Sequence, residues 1–256
     1  CNSTIKWGKL IETADELGCD YIATGHYARI GQQDNRWFLR KGADLCKDQT
    51  YFLWTLTQEN LARTLFPLGQ LTKPEVREIA FRHGYEKLSR KGESQEICFI
   101  PDNDYRAFLA EQVEDYTGQY GPGYFINTKG EKLGMHKGFP NYTIGQRKGL
   151  GIALGQPMFV VAIHPEDNTV VLGTKDELQG KSFYATSVNL MKYGHIPDGL
   201  EVTAKIRYRN EGKKASLYPE GDRLRVVFHE TIDSITPGQS AVFYEEEDIV
   251  GGGIIS

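Results

Sequence analysis

Long apolar runs are missing from this 256-residue chain: nothing approaches the ~18 consecutive apolar residues that a membrane-crossing helix needs. No basic segment followed by an apolar one opens it, so no secretory leader and no membrane partner are expected. Cysteine is scarce. Four stand at Cys1, Cys19, Cys46 and Cys98, none in a C-x-x-C pair, and none follows Cys98. That pattern is not a disulfide framework, and it lacks the close ligand pairs of a zinc site. The expectation is a reducing, cytoplasmic setting with no bound metal. An excess of positive charge is lacking too, with 30 Lys and Arg against 34 Asp and Glu. Net charge alone therefore gives no pointer to nucleic acid, although it says nothing of how charge is distributed. Repeats and low-complexity tracts are absent.

What is present is ordinary globular material: 39% hydrophobic residues and 28 glycines. At this length two domains, or three small ones, are expected. Ile5, Leu10, Ile11, Ala14 and Leu17 recur at helical spacing, and Gly18 stands where a helix-ending glycine belongs. Tyr21–Ala23 reads as a short strand running into the Thr24–Gly25–His26 loop. Thr72-x-x-Glu75 with Pro74 predicts a capped helix that stops at Gly84, and another helix is predicted over 103–113. Strand, loop and helix alternating in this way point to part of an α/β layer. Beyond about 117 the pattern turns to alternating apolar residues and Gly/Pro turns. Phe159–Ile163 and Thr169–Leu172 predict a hairpin. Strands over 182–190, 202–208, 215–218, 223–229, 240–244 and 248–255 predict a small antiparallel barrel or sandwich.

Cys98 follows a polar lead-in, Gly92-Glu93-Ser94-Gln95-Glu96, with Arg90 and Lys91 close by. A reactive thiol needs local positive charge to become thiolate. The competing reading is a small buried hydrophobe between Ile97 and Phe99. Cys19 and Cys46 lack such surroundings and read as structural. His26, at a strand end, reads either as a ligand-site residue or as a loop histidine with a structural hydrogen bond. Lys47-Asp48-Gln49 opens a predicted helix at Tyr51, with Asp48 as a candidate N-cap. Two basic stretches, 129–150 and 201–225, read either as a phosphate-tracking face or as solvated hairpin tips.

Several segments occur in a fixed order: Cys1-Asn2 with Ile5-Lys6, Thr24-Gly25-His26-Tyr27-Ala28-Arg29, Lys47-Asp48-Gln49-Thr50-Tyr51-Phe52-Leu53, Ser94-Gln95-Glu96-Ile97-Cys98-Phe99-Ile100, Thr143-Ile144-Gly145-Gln146-Arg147-Lys148-Gly149-Leu150-Gly151, Arg207-Tyr208-Arg209 and Thr236-Pro237-Gly238-Gln239-Ser240. This set resembles the bacterial tRNA-specific 2-thiouridylase family over nearly the whole chain. The resemblance implies an α/β remnant of a PP-loop (adenine nucleotide α hydrolase-like) domain at 1–102, a small central domain at 103–178 and a C-terminal antiparallel β-barrel at 179–256. It implies ATP-dependent replacement of the C2 oxygen of the tRNA wobble uridine by sulfur, with Mg as the counter-ion of ATP. By the same resemblance Cys98 carries the sulfur as a persulfide, and Cys1 is the partner nucleophile able to close a disulfide with it. Gly25 would contact nucleotide. His26, Lys47, Asp48, Gln49, Arg207, Tyr208 and Gln239 would touch tRNA. A sulfur-carrier protein or cysteine desulfurase would supply the persulfide sulfur.

The family's Ser-Gly-Gly-Val-Asp-Ser loop has no counterpart ahead of Cys1. The chain therefore resembles the C-terminal two-thirds of such an enzyme, and no tight ATP binding or thiolation is expected of these residues alone. Two other classes compete. A non-catalytic tRNA-binding fragment would need only the basic and aromatic positions. An N-terminal-cysteine amidotransferase would use the Cys1 α-amine as base, but such enzymes run into strand directly after the nucleophile.

Overall fold

The computed structural model describes residues 2–90, 100 and 104–256. A wide, π-type helical stretch at Asn2–Lys9 leads into α1 (Leu10–Glu16), and Gly18 ends it with a positive φ of 66°. Of the expected face, Ala14 is buried and Ile11 packs against the core, whereas Ile5, Leu10 and Leu17 are exposed and Trp7 takes the inward position. A helix in this place leaves no strand after position 1, which counts against the amidotransferase reading. The strand predicted at 21–23 is β1 (Ile22–Ala23). The hairpin β2 (Ala28–Gln33) and β3 (Arg36–Lys41) turns on Asp34 and Asn35, both with positive φ, the conformation that a two-residue hairpin loop requires. Next come α2 (Gln58–Ala62), capped by Thr57 and Asn60, and β4 (Thr64–Leu65), which pairs with β1 in parallel. The Thr72/Glu75 capping box opens α3 (Lys73–Arg82), followed by α4 (Glu86–Arg90).

The central residues form α5 (Tyr105–Gln112), N-capped by Asp104, and α6 (Tyr116–Gln119). The hairpin β5 (Gly123–Asn127) and β6 (Lys132–His136) follows, then β7 (Phe159–His164) and β8 (Thr169–Gly173). The last two are the hairpin read from the sequence. The sheet order is β6-β5-β8-β7, with β5 and β8 parallel. Phe125, Tyr142, Val160, Val170 and Leu172 fill its core. His136 lies inside it, accepting from the Gly138 N–H at Nδ1 (3.0 Å) and donating from Nε2 to the Asn168 carbonyl (3.1 Å). Burial holds its pKa below the ordinary value.

The remaining strands are β9 (Gln179–Leu190), β10 (Leu200–Lys205), β11 (Lys213–Glu220), β12 (Arg223–Asp233), β13 (Ser240–Glu245) and β14 (Asp248–Ile255). Their order β13-β10-β11-β12-β9-β14, closed by pairing of β13 with β14, makes a six-stranded barrel. Strand β10 stops at Lys205, short of the predicted 208, so Arg207 and Tyr208 sit in the turn that follows. The fold is an α/β part, a small central domain and a C-terminal antiparallel barrel, as expected.

One feature was not foreseen. The β2–β3 hairpin continues the barrel's sheet, with Arg40 opposite Asp248 of β14. Residues 2–90, 181–230 and 236–256 accordingly form one compact unit, and 104–180 with 231–235 a second. The core of the first unit mixes both ends of the chain: Phe38, Leu39, Leu53, Trp54 and Leu56 pack with Met191, Val242, Tyr244 and Ile249. Each such fully buried side chain is worth about 2 kcal/mol of transfer free energy. Gly252 makes the fit possible, since a Cβ there would lie 2.7 Å from the Trp54 ring.

Candidate functional site

The parallel β1–β4 pair delivers Thr24–Gly25–His26 at its carboxyl end, where α/β layers place ligands. Gly25 is exposed, whereas His26 is only 7% exposed. The ring of His26 lies 5.5 Å from Trp7 and meets Phe66 edge-on. The Lys6 ammonium donates to Nε2 (3.0 Å). Ammonium has no acceptor, so Nδ1 carries the proton and donates to Thr24 Oγ1 (2.9 Å). Burial, and secondarily the Lys6 charge, push the His26 pKa down to about 4. The imidazole is therefore neutral and locked in one tautomer.

The Lys47–Gln49 loop lies against this strand end, with Gln49 Oε1 accepting from the Tyr27 N–H (3.1 Å). Asp48 is not the N-cap expected of it. A short 3-10 turn at Thr50–Phe52 replaces the predicted helix and has no side-chain cap. Asp48 is buried, and its carboxylate accepts from the Gly42 N–H (3.1 Å) and from Thr50 Oγ1 (2.7 Å), tying the loop to itself. The side chains of His26 and Asp48 thus both turn inward.

The turn after β10 reaches the same place. Tyr208 Oη donates to the Asp48 carbonyl (3.2 Å), and the Arg207 guanidinium donates to Thr236 Oγ1 (3.1 Å). Gln239 is exposed, at the end of the Thr236–Gln239 turn. Next to it, the Ser240 carbonyl accepts from Tyr51 Oη (2.8 Å) and Ser240 Oγ from the Trp54 indole (3.0 Å). Burial raises the Tyr51 pKa to about 12, against the pull of Arg207. Gly25, His26, the Lys47–Gln49 run, Arg207, Tyr208 and Gln239 are hence gathered by one connected set of bonds within one unit. Cys1 and Cys98 lie outside the described residues. Asn2 donates from its amide to the Phe52 carbonyl (3.0 Å), so the chain next to Cys1 is moored to this loop.

Sequence reasoning missed Phe52. It is 45% exposed, and its ring lies 4.4 Å from that of Tyr208, forming an aromatic ledge. Lys205, whose pKa burial lowers despite Asp48, lies 5.9 Å from the Tyr208 ring. Two adjacent aromatics after a polar triplet were the available signal. Cys19 and Cys46 are both exposed free thiols, so neither is a core residue. The two basic stretches fall in different units. In 201–225, Lys213 and Arg225 are paired with Glu230 and Glu220. Among the described residues no cluster of His, Cys, Asp or Glu fits a metal ion, and no helix is long and apolar enough to cross a membrane.

Comparison with known proteins supplies the rest. Residues 1–102 match the family model described as tRNA methyl transferase HUP domain, 107–174 its PRC-barrel domain, and 180–255 the aminomethyltransferase beta-barrel domain. Relatives named tRNA-specific 2-thiouridylase MnmA match the whole chain. Those of Amoebophilus asiaticus and Moorella thermoacetica are each 49% identical, with 68% and 71% of their own length covered, and that of Cytophaga hutchinsonii is 45% identical with 70% covered.

The chain belongs to the tRNA-specific 2-thiouridylase family. Its connected patch carries several of the segments quoted above, and both rings of the aromatic ledge, Phe52 and Tyr208, fall within them.

Proposed function

We propose that this chain works in sulfur transfer to C2 of the tRNA wobble uridine, as the names of its relatives indicate. The observation that carries this reading is the convergence of Lys47–Gln49, Arg207–Tyr208 and Gln239, separated by up to about 190 residues, onto one patch bearing both cations and an exposed aromatic ledge. Cations bind the RNA backbone and aromatic faces stack unpaired bases, the combination that single-stranded RNA recognition uses. Within the patch Asp48 and His26 hold the loops in place. Lys47, Arg207, Tyr208, Gln239 and Phe52 are the side chains offered to the anticodon arm. The target base must leave its stack to be reached.

ATP supplies the activation that makes the uracil C2 oxygen a leaving group. The residues that fit a phosphoryl group are the exposed, side-chain-free Gly25 at the carboxyl end of β1 and the cationic Lys6, which bonds the adjacent His26. Cys98 delivers persulfide sulfur received from a carrier protein or desulfurase. The Cys1 thiolate attacks the inner sulfur of the Cys98 persulfide, closing a disulfide and expelling the terminal sulfur as hydrosulfide. The hydrosulfide adds to the activated C2 while the former C2 oxygen leaves with adenosine monophosphate, and an external thiol reductant then reopens the disulfide. Closing the disulfide needs the two Cα atoms within ~7 Å of each other.

Nucleoside mass spectrometry of tRNA treated with the full-length protein, ATP and a sulfur donor tests the reading. Cys98→Ser should abolish 2-thiouridine while leaving tRNA affinity nearly intact. Thiolation that survives this substitution would remove the assigned role. Salt-dependent tRNA binding with no thiolation by the wild type would favour a non-catalytic tRNA-binding protein.

A further inference from the structure

Lys6 carries a charge that the described protein does not neutralise. It is half-buried on the Asn2–Lys9 helical stretch, and among the described residues no carboxylate lies within ion-pair distance of it. Its recorded partner is the lone pair of a neutral imidazole. A partly buried ammonium is costly to leave without an anion. Here it is also held still. His26 is clamped by Thr24 Oγ1 on its other nitrogen and packed against Trp7 and Phe66, and Trp7 is fixed by its indole N–H donating to Thr64 Oγ1 (2.8 Å). One of the three ammonium protons goes to His26, which leaves two for a ligand. The backbone at Gly25, one residue before the histidine that Lys6 bonds, is exposed at the carboxyl end of a parallel strand. A fixed cation with free protons beside a side-chain-free loop suits a tetrahedral oxyanion.

We propose that Lys6, positioned by His26, binds a phosphoryl group of the substrate at the carboxyl end of β1. This rests on the proposed function for the identity of the substrate. The phosphoryl group belongs either to a nucleotide or to the tRNA backbone, and binding measurements separate the two. Titration with a fluorescent adenine nucleotide and filter binding of tRNA over a salt series are compared for wild type, Lys6→Met and Lys6→Arg in the full-length protein. A loss of roughly tenfold or more for Lys6→Met in the nucleotide arm, partly restored by Lys6→Arg, identifies a nucleotide phosphate. The same loss in the tRNA arm, with the salt slope reduced by about one, identifies a backbone phosphate. Unchanged affinity in both arms overturns the proposal.

Should Lys6→Met fail to fold, the wild type serves. Saturating adenosine monophosphate, or an anticodon stem-loop, should move the His26 Nε2 resonance in ¹⁵N spectra, because the ligand competes for the ammonium that donates to it. A resonance unmoved by either ligand would refute the inference. A protein that makes no 2-thiouridine yet loses phosphate binding on Lys6→Met would sink the proposed function and leave Lys6 standing.

Discussion

His26 illustrates how one buried ring couples fold to pH. Its pKa falls from 6.5 to about 4 on folding, so the unfolded chain takes up a proton at a pH where the folded one does not. Stability is therefore full above about pH 6.5 and declines as pH falls towards 4. A shift of this size corresponds to about 3 kcal/mol. Melting temperatures measured from pH 7.5 to 4 should drop across that window, and His26→Gln should flatten the drop. A profile that His26→Gln leaves unchanged would contradict the buried neutral ring. At Phe52 the expectation concerns binding. Phe52→Ala should weaken tRNA binding roughly five- to hundredfold, the usual worth of one stacked base, and Phe52→Tyr should restore it. Filter binding with an anticodon stem-loop measures this. The sequence showed His26 as a strand-end residue and Lys6 as part of a motif. It could not show that they touch, because that contact depends on the pitch of a helical stretch and the angle of a strand.

Among the elements, those with local chemistry were legible. The Thr72–Glu75 capping box, Gly18 at the end of α1, the hairpin β7–β8 and each strand of the barrel are present, although β10 ends before its predicted limit. Thr72→Ala should cost about 1 kcal/mol in chemical denaturation, the ordinary value of a lost cap. Legibility failed where tertiary partners decide. The buried side of the Asn2–Lys9 stretch is chosen by what packs against it, so Trp7 rather than Ile5 turns inward. Asp48 looked like a cap because its polar neighbours are those of a cap, but two loop donors claim its carboxylate. Gly252 carries a sharper expectation. Gly252→Ala should destabilise the protein by about 1–3 kcal/mol, since Trp54 and the Ala241 carbonyl, 2.9 Å from the added carbon, leave it no room. Denaturant unfolding checks it, and a neutral result would mean that Trp54 can move aside.

At the scale of the whole molecule, sequence order and spatial order part company. The three family models follow one another along the chain, yet the first shares a core with the third. Asn189 donates to the Trp54 and Leu56 carbonyls, and Arg36 to those of Leu190 and Met191, so the junction is hydrogen-bonded as well as packed. Residues 180–256 expressed alone should consequently show no cooperative melt by circular dichroism, because Phe38, Leu39, Leu53 and Trp54 are missing from their core. A sharp transition from that piece would show that the barrel is self-sufficient.

Strand β14 closes the barrel on one edge and receives the hairpin on the other, and Arg29 reaches Glu247 across 218 residues of chain. Synthesis on the ribosome proceeds from the other end. The hairpin at 28–41 emerges about 200 residues before Asp248, so β3 must wait for β14 before it finds its second mate. Pairings between such remote segments form slowly. During that delay an unpaired strand edge carrying Trp37 and Phe38 is open to chance association. Translation speed and chaperone supply should accordingly govern the yield of this protein more than the stability of its finished form.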